Sequence, residues 1–120
     1  HNYVSLGSVA LIAEAAACAE RAGVDPEVFV DVLVKGGGGG TALERLRPFL
    51  LNKDPSGLRF AMSNAQKDLG YYTAMAEASH SARSIADGVR QTLDGAVQAG
   101  NGEALLPELV AVLAKRGDGS

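Results

Sequence analysis

The first 22 residues constrain this chain more than any other stretch. From Asn2 to Ala22 nearly every residue favours helix: Tyr3, Val4, Leu6, Val9, Leu11, Ile12 and Ala13, then Ala15 to Ala17. Beyond Asn2 the polar residues are few, namely Ser5, Ser8, Glu14, Glu20 and Arg21. A helix that is apolar nearly all the way round must be buried on most of its faces. It therefore requires other elements to cover it. Gly7, Ser8 and the alanines would let another helix approach closely. The longest apolar run, Val9 to Ala19, is interrupted by Glu14 and reads as too short to span a bilayer, so no membrane role is expected. No basic n-region or cleavage site marks a signal peptide. The chain opens on His1 rather than Met, already in helix-forming sequence, which suggests a trimmed tag or a piece of something longer.

The rest of the composition agrees with a packed core. At 120 residues the chain suits one domain. Aromatics are only 5% and Trp is absent, so the core must be built from Ala, Leu and Val. The net charge of −3 and the lack of a basic stripe argue against nucleic acid as a partner. The single cysteine, Cys18, excludes an internal disulfide framework and fits a reducing, cytoplasmic compartment. Its alanine-rich setting reads as that of a small core residue rather than a reactive thiol.

Along the chain, helix follows helix. Gly23 closes the first as a C-cap glycine. Asp25 and Pro26 open a second as N-cap and N1, with Val28, Phe29, Val32 and Leu33 as its apolar face. Gly36 to Gly40 stop it. Thr41 and Glu44 have the spacing of a capping box and start a third, which Pro48 should kink or end early. Asn52 to Gly57 is a loop. A fourth helix is expected from about Phe60 through Met62, Ala65, Leu69, Tyr72 and Met75 to roughly Ser79, with a break at His80 and Ser81. Ile85, Val89, Leu93 and Val97 recur every four residues and predict a fifth. Gly100 to Gly102 form a turn. Leu105 to Lys115 form the last helix, with Pro107 in its first turn, and residues 117–120 read as a frayed tail. No segment alternates like a strand. The expected fold class is all-α, with about six helices.

Few residues carry an obvious chemistry. The Gly36 to Gly40 run suggests a phosphate cradle, but a dinucleotide fingerprint must follow a strand, and here a helix precedes it. No Gly-Lys-Ser/Thr follows either, so the loop reads as a flexible connection that could still border a cleft. His1 and His80 have no neighbours at ligand spacing, so no metal site is expected. No hydrolytic triad can be argued around Cys18. On the fourth helix Asn64, Lys67 and Tyr71 share one face. A lysine held there could contact a phosphate, a ribose or a polar ring, although on the residues alone a solvated face has the greater weight. Asn2 is most simply a helix cap. At a helix N-terminus it could equally orient a carboxylate or carbonyl.

In order and spacing these stretches resemble the C-terminal helical domain of the β-hydroxyacid dehydrogenase family, which includes 3-hydroxyisobutyrate dehydrogenase, tartronate semialdehyde reductase and their 6-phosphogluconate dehydrogenase relatives. His1-Asn2 falls where the family has the end of a Lys-x-x-Asn-Asn pattern. Ala13-Glu14-Ala15 and Ala19 to Asp25 resemble the family's alanine-rich helix and its exit. Phe60 is followed seven residues on by Lys67-Asp68-Leu69, as in the family's F-x6-K-D-L. The likeness is good over Asn2 to Ala78 and looser to Leu113. In place of the first Asn of the family's pair stands His1, and a five-glycine run replaces a Gly-Ser mixture.

The resemblance implies a bipartite oxidoreductase. An N-terminal Rossmann domain would bind NAD or NADP, and the helical domain would close the cleft and mediate a homo-oligomer such as a dimer. The family's general acid/base lysine would lie three residues before His1, so no catalytic residue is expected within this chain, and no cofactor is expected to bind it alone. Asn2 would contact a small hydroxyacid substrate. Lys67 would lie near the nicotinamide end of the cofactor, Phe60 would border that region, and Asp68 would support the cleft edge. On this reading the 120 residues are the helical C-terminal domain of a longer protein and expose an apolar face to the missing domain and a second subunit. The other reading is a stand-alone helical module that dimerises through the alanine-rich helix, with Lys67 an ordinary surface lysine.

Overall fold

The structure, a computed structural model, describes residues 1–115, so the expected frayed tail lies outside the described residues. Its elements are α1 (Asn2–Arg21), α2 (Pro26–Lys35), α3 (Thr41–Asn52), α4 (Met62–Ala78), α5 (Ser84–Ala96) and α6 (Leu109–Lys115). Short 3-10 turns at Pro55–Gly57 and Leu106–Glu108 and a wide turn at Val97–Asn101 join them. Among the described residues there are six α-helices and no strand; Ala61 and Leu105 make one isolated antiparallel bridge. The all-α expectation holds.

α1 is the helix on which the others pack: α2 to α6 all touch it. Leu6, Val9, Ala10, Ile12, Ala13, Ala16 and Ala17 face inward, and Ala13 is fully buried. The small side chains let neighbouring backbones come close. Burial is nevertheless one-sided. Val4 and Leu11 are 66% and 67% exposed, and Cys18 is exposed rather than in the core. The covering helices wrap one flank of α1, and its nearly uniform apolarity does not encode which flank that is. By length and composition α1, at 20 residues, could cross a bilayer, unlike the shorter run read from sequence. Its inner face against five other helices is what a core helix shows.

α1 ends as expected. Gly23 takes a left-handed φ of 81°, the Val24 N–H donates to the Ala19 carbonyl and the Gly23 N–H to that of Glu20, a Schellman closure. Asp25 caps α2 by accepting from the Glu27 N–H at 2.8 Å. The buried residue of α2 is Val30, flanked by half-buried Phe29 and Leu33, while Val28 and Val32 are exposed. The inner face is therefore turned from the expected one, because α2 packs mainly against α1 and α3.

α3 departs from expectation twice. Thr41 is its first helical residue, not its cap; Gly40 precedes it with no side-chain cap, and Glu44 pairs with Arg47 at 3.4 Å. Pro48 neither ends the helix nor shortens it, since α3 continues to Asn52. Instead the Pro55–Gly57 turn packs over this stretch. A Cβ on Gly57 would run into the Arg45 carbonyl oxygen, with the Pro48 ring also against it. Asp54 holds the turn by accepting from the Ser56 N–H at 3.0 Å. That bond, the Ser56 hydroxyl and then Arg59 keep the Asp54 carboxyl below its ordinary 3.8.

α4 begins at Met62, not Phe60. The Met62 and Ser63 N–H groups donate to the carbonyls of Ala104 and Gly102, both at 2.9 Å, while the Leu106 N–H donates to the Phe60 carbonyl at 2.8 Å. A distant loop thus caps the helix, so Phe60 stays extended. The break at His80 is as expected. His80 sits at φ 56° where glycine is usual, with the Ser81 N–H on the Ala76 carbonyl at 2.8 Å. In α5 the buried residues are Ala86, Leu93 and Ala96, with Val89 and Val97 half-buried. Ile85 is 74% exposed, because it flanks an open groove between α5 and α1 rather than the core. Pro107 lies in a separate 3-10 turn that precedes α6, and Glu108 accepts from the Leu105 N–H at 2.8 Å.

Four outcomes follow from this geometry. Gly57→Ala should destabilise the chain by about 1–3 kcal/mol in urea unfolding. Gly37→Ala, with open space around it, should be close to neutral. His80→Gly should raise stability by about 1 kcal/mol, the left-handed penalty relieved. Asp54 has a lowered folded-state value, so its stabilisation is present above the unfolded value of 3.8 and lost as pH falls through the lower folded one. The stability gap between the chain and Asp54→Asn should therefore narrow as unfolding is followed from neutral pH down through and below 3.8.

Candidate functional site

The packing of α1 on α4 brings together two residues 66 positions apart. The Asn2 side-chain N–H donates to Asp68 Oδ2 at 2.9 Å. One residue along α1 and one turn along α4, the rings of Tyr3 and Tyr72 stack with centroids 4.2 Å apart and planes at 29°. Gly7 lies beneath the stack, where a Cβ would meet the Tyr3 ring at an ordinary contact distance of 3.5 Å. The first turn of α1 is thus pinned to the middle of α4 by a polar contact and an aromatic one.

Lys67 precedes Asp68 on α4 and is exposed, as are Asn64 and Tyr71 on the same face. Lys67 enters no ion pair among the described residues, whose pairs involve Lys35, Arg47, Lys53, Arg83 and Arg90. The opposite side of α4 is tied to α5. Arg90 donates to the buried Thr73 hydroxyl at 3.0 Å, and Gln66 donates to Asp94 at 2.8 Å. The Arg90 guanidinium lies beside Gly70, 3.6 Å from where a Cβ would stand. These contacts fix the rotation of α4 and leave the Lys67 face outward.

Of the four residues singled out in the sequence, Asn2 and Asp68 are in contact and Lys67 adjoins them along the chain. Phe60 is half-buried against the core, in the extended stretch before α4. Sequence reasoning missed the Tyr3–Tyr72 stack. Its only sequence trace is that two of the three tyrosines follow Asn2 by one residue and Asp68 by four. The glycine loop borders a groove of about 540 Å³ against α1, lined by Val4, Ser8, Leu11, Thr41 and Arg45 among others. Because the loop follows α2 rather than a strand, it is not a dinucleotide cradle. Among the described residues no three His, Cys, Asp or Glu side chains cluster as metal ligands.

Chemically, the Asn2–Asp68 contact offers an amide held on one side and a carboxylate, and Lys67, the residue before Asp68, adds an exposed ammonium. Such a set suits holding and orienting a polar or anionic ligand. Lys67, with the exposed Tyr71 ring and Asn64, also fits the polar or phosphate-bearing end of a cofactor.

Comparison with known proteins bears on the family and the fold. Among curated proteins no sequence matches the chain. A crystal structure of 3-hydroxyisobutyrate dehydrogenase from Salmonella typhimurium superposes with a TM-score of 0.84 at 25% identity, over 93% of this chain. The chain spans 39% of that protein's length. A family model described as NAD-binding of NADP-dependent 3-hydroxyisobutyrate dehydrogenase matches residues 1–113. The chain belongs to that family, the all-α NAD-binding part of 3-hydroxyisobutyrate dehydrogenase-like oxidoreductases.

Proposed function

We propose that this chain is the helical C-terminal domain of an NAD(P)-dependent 3-hydroxyacid dehydrogenase or reductase, and that it forms one wall of the substrate cleft. The observation that carries the reading is the Asn2–Asp68 contact beside Lys67, on a chain whose family match runs almost end to end. In this reading a dinucleotide-binding domain precedes His1 and brings the general acid/base lysine. Asn2 holds the hydroxyacid in orientation, Asp68 supports it, and Lys67 lies at the nicotinamide end of the cofactor, with Phe60 bordering that region. The chemistry a bound nicotinamide supplies is acceptance of hydride from the substrate carbon. This chain's own residues bind and orient, which confines the reacting groups to one geometry.

The surface supports a partner domain as well. Val4 and Leu11 on α1 and Ile85 on α5 are each more than 60% exposed, an apolar area suited to the absent domain or to a second subunit of a homo-oligomer. As a domain of a dehydrogenase that works on small hydroxyacids, the protein would reside in the cytoplasm.

The test uses the dehydrogenase-length protein with 3-hydroxyisobutyrate as probe substrate. Lys67→Ala should raise the KM for the cofactor by roughly tenfold or more, the scale of removing one charge-assisted hydrogen bond, with the far-ultraviolet circular dichroism unchanged. The 120-residue chain by itself should show no turnover. Unchanged cofactor affinity in Lys67→Ala would favour the helical-module reading, in which Lys67 is a plain surface lysine.

A further inference from the structure

We infer that Asp68 is a positioning residue that acts through Asn2, fixing which edge of the Asn2 amide is offered to a ligand. The inference rests on the proposed substrate role of Asn2 and adds how that role is set. A side-chain amide presents a carbonyl oxygen and two N–H donors, and a free one can turn over and exchange its two edges. Here one N–H of Asn2 donates to Asp68 Oδ2 at 2.9 Å. A carboxylate only accepts, so it selects the nitrogen edge of the amide and excludes the flipped state, in which two oxygens would face each other. The Asn2 Oδ1 and its second N–H are then left for a ligand. That pairing suits a hydroxyl that donates to Oδ1 together with an oxygen that accepts from the N–H, such as the hydroxyl and carboxylate of a hydroxyacid.

The packing around the contact supports the orientation. The Tyr3–Tyr72 stack, one residue beyond Asn2 and one turn beyond Asp68, fixes the height of α1 on α4. Asn2 is exposed, so without Asp68 water would satisfy either edge equally and the amide would be free to turn.

Two readouts test this. In the 120-residue chain, the Asn2 side-chain amide is followed by nitrogen–proton correlation NMR. Asp68→Ala should move its two proton signals toward free-amide positions and lower their order, and Asp68→Asn, which retains an accepting oxygen, should restore part of the difference. An Asn2 signal unmoved by Asp68→Ala would overturn the inference. In the dehydrogenase-length protein, Asp68→Ala should raise the KM for 3-hydroxyisobutyrate by roughly five- to tenfold, the scale of one hydrogen bond. The KM for the cofactor should not move, and the double variant with Asn2→Ala should be no worse than Asn2→Ala alone. If Asn2→Ala raises the hydroxyacid KM and Asp68→Ala does not, the positioning role fails while the proposed function stands. If neither variant changes that KM, the substrate role of Asn2 fails and the inference fails with it.

Discussion

Everything in this molecule depends on how closely α1 can be approached. Its buried positions are mostly alanine, and Ala13 has no exposed surface at all. An alanine adds little apolar area of its own. What it contributes is proximity, since the large side chains of other helices can reach across it. Leu43, Leu46, Leu69, Leu93, Leu106 and Leu109 are all fully buried in the cluster this creates. Each contributes about 1.5–3 kcal/mol of burial. A larger residue at Ala13 would loosen the packing of the core cluster around it, because interiors are packed too densely to absorb added volume.

The same close approach builds the candidate site. α4 carries Lys67 and Asp68, α1 carries Asn2, and neither helix alone makes a binding surface. The register between them is set by Tyr3 on Tyr72. The rotation of α4 is set on its other side, where Arg90 of α5 holds Thr73 of α4. The geometry of the Asn2–Asp68 contact is therefore a property of the helix packing.

Much of the fold was legible in the sequence, for local reasons. Gly23 and Asp25-Pro26 announce the α1–α2 corner because a Schellman closure and an N-cap need only neighbouring residues. The break at His80 also reads locally, although there a histidine takes the left-handed position that glycine usually fills. Thr41 misled because its spacing to Glu44 matches a capping box, yet the helix is capped one residue earlier by Gly40 and Glu44 turns to Arg47. The start of α4 was misplaced because its first N–H groups bond to Gly102 and Ala104, some forty residues away. Pro48 suggested a helix end, but the Gly57 turn settles against that stretch and α3 runs on.

By itself, the sequence determined the number and order of helices and the presence of a long alanine-rich helix. It also carried the family likeness, through residues spaced along Asn2 to Leu69. Those depend on periodicity and on short-range capping, both written in consecutive residues. Only the tertiary structure decided which flank of α1 is covered, leaving Val4, Leu11 and Cys18 outside, and which valines of α2 face inward. It alone decided that Asn2 meets Asp68. That contact joins residues 66 apart, so it follows from the angle and height at which α1 crosses α4, quantities that no local pattern along the chain encodes.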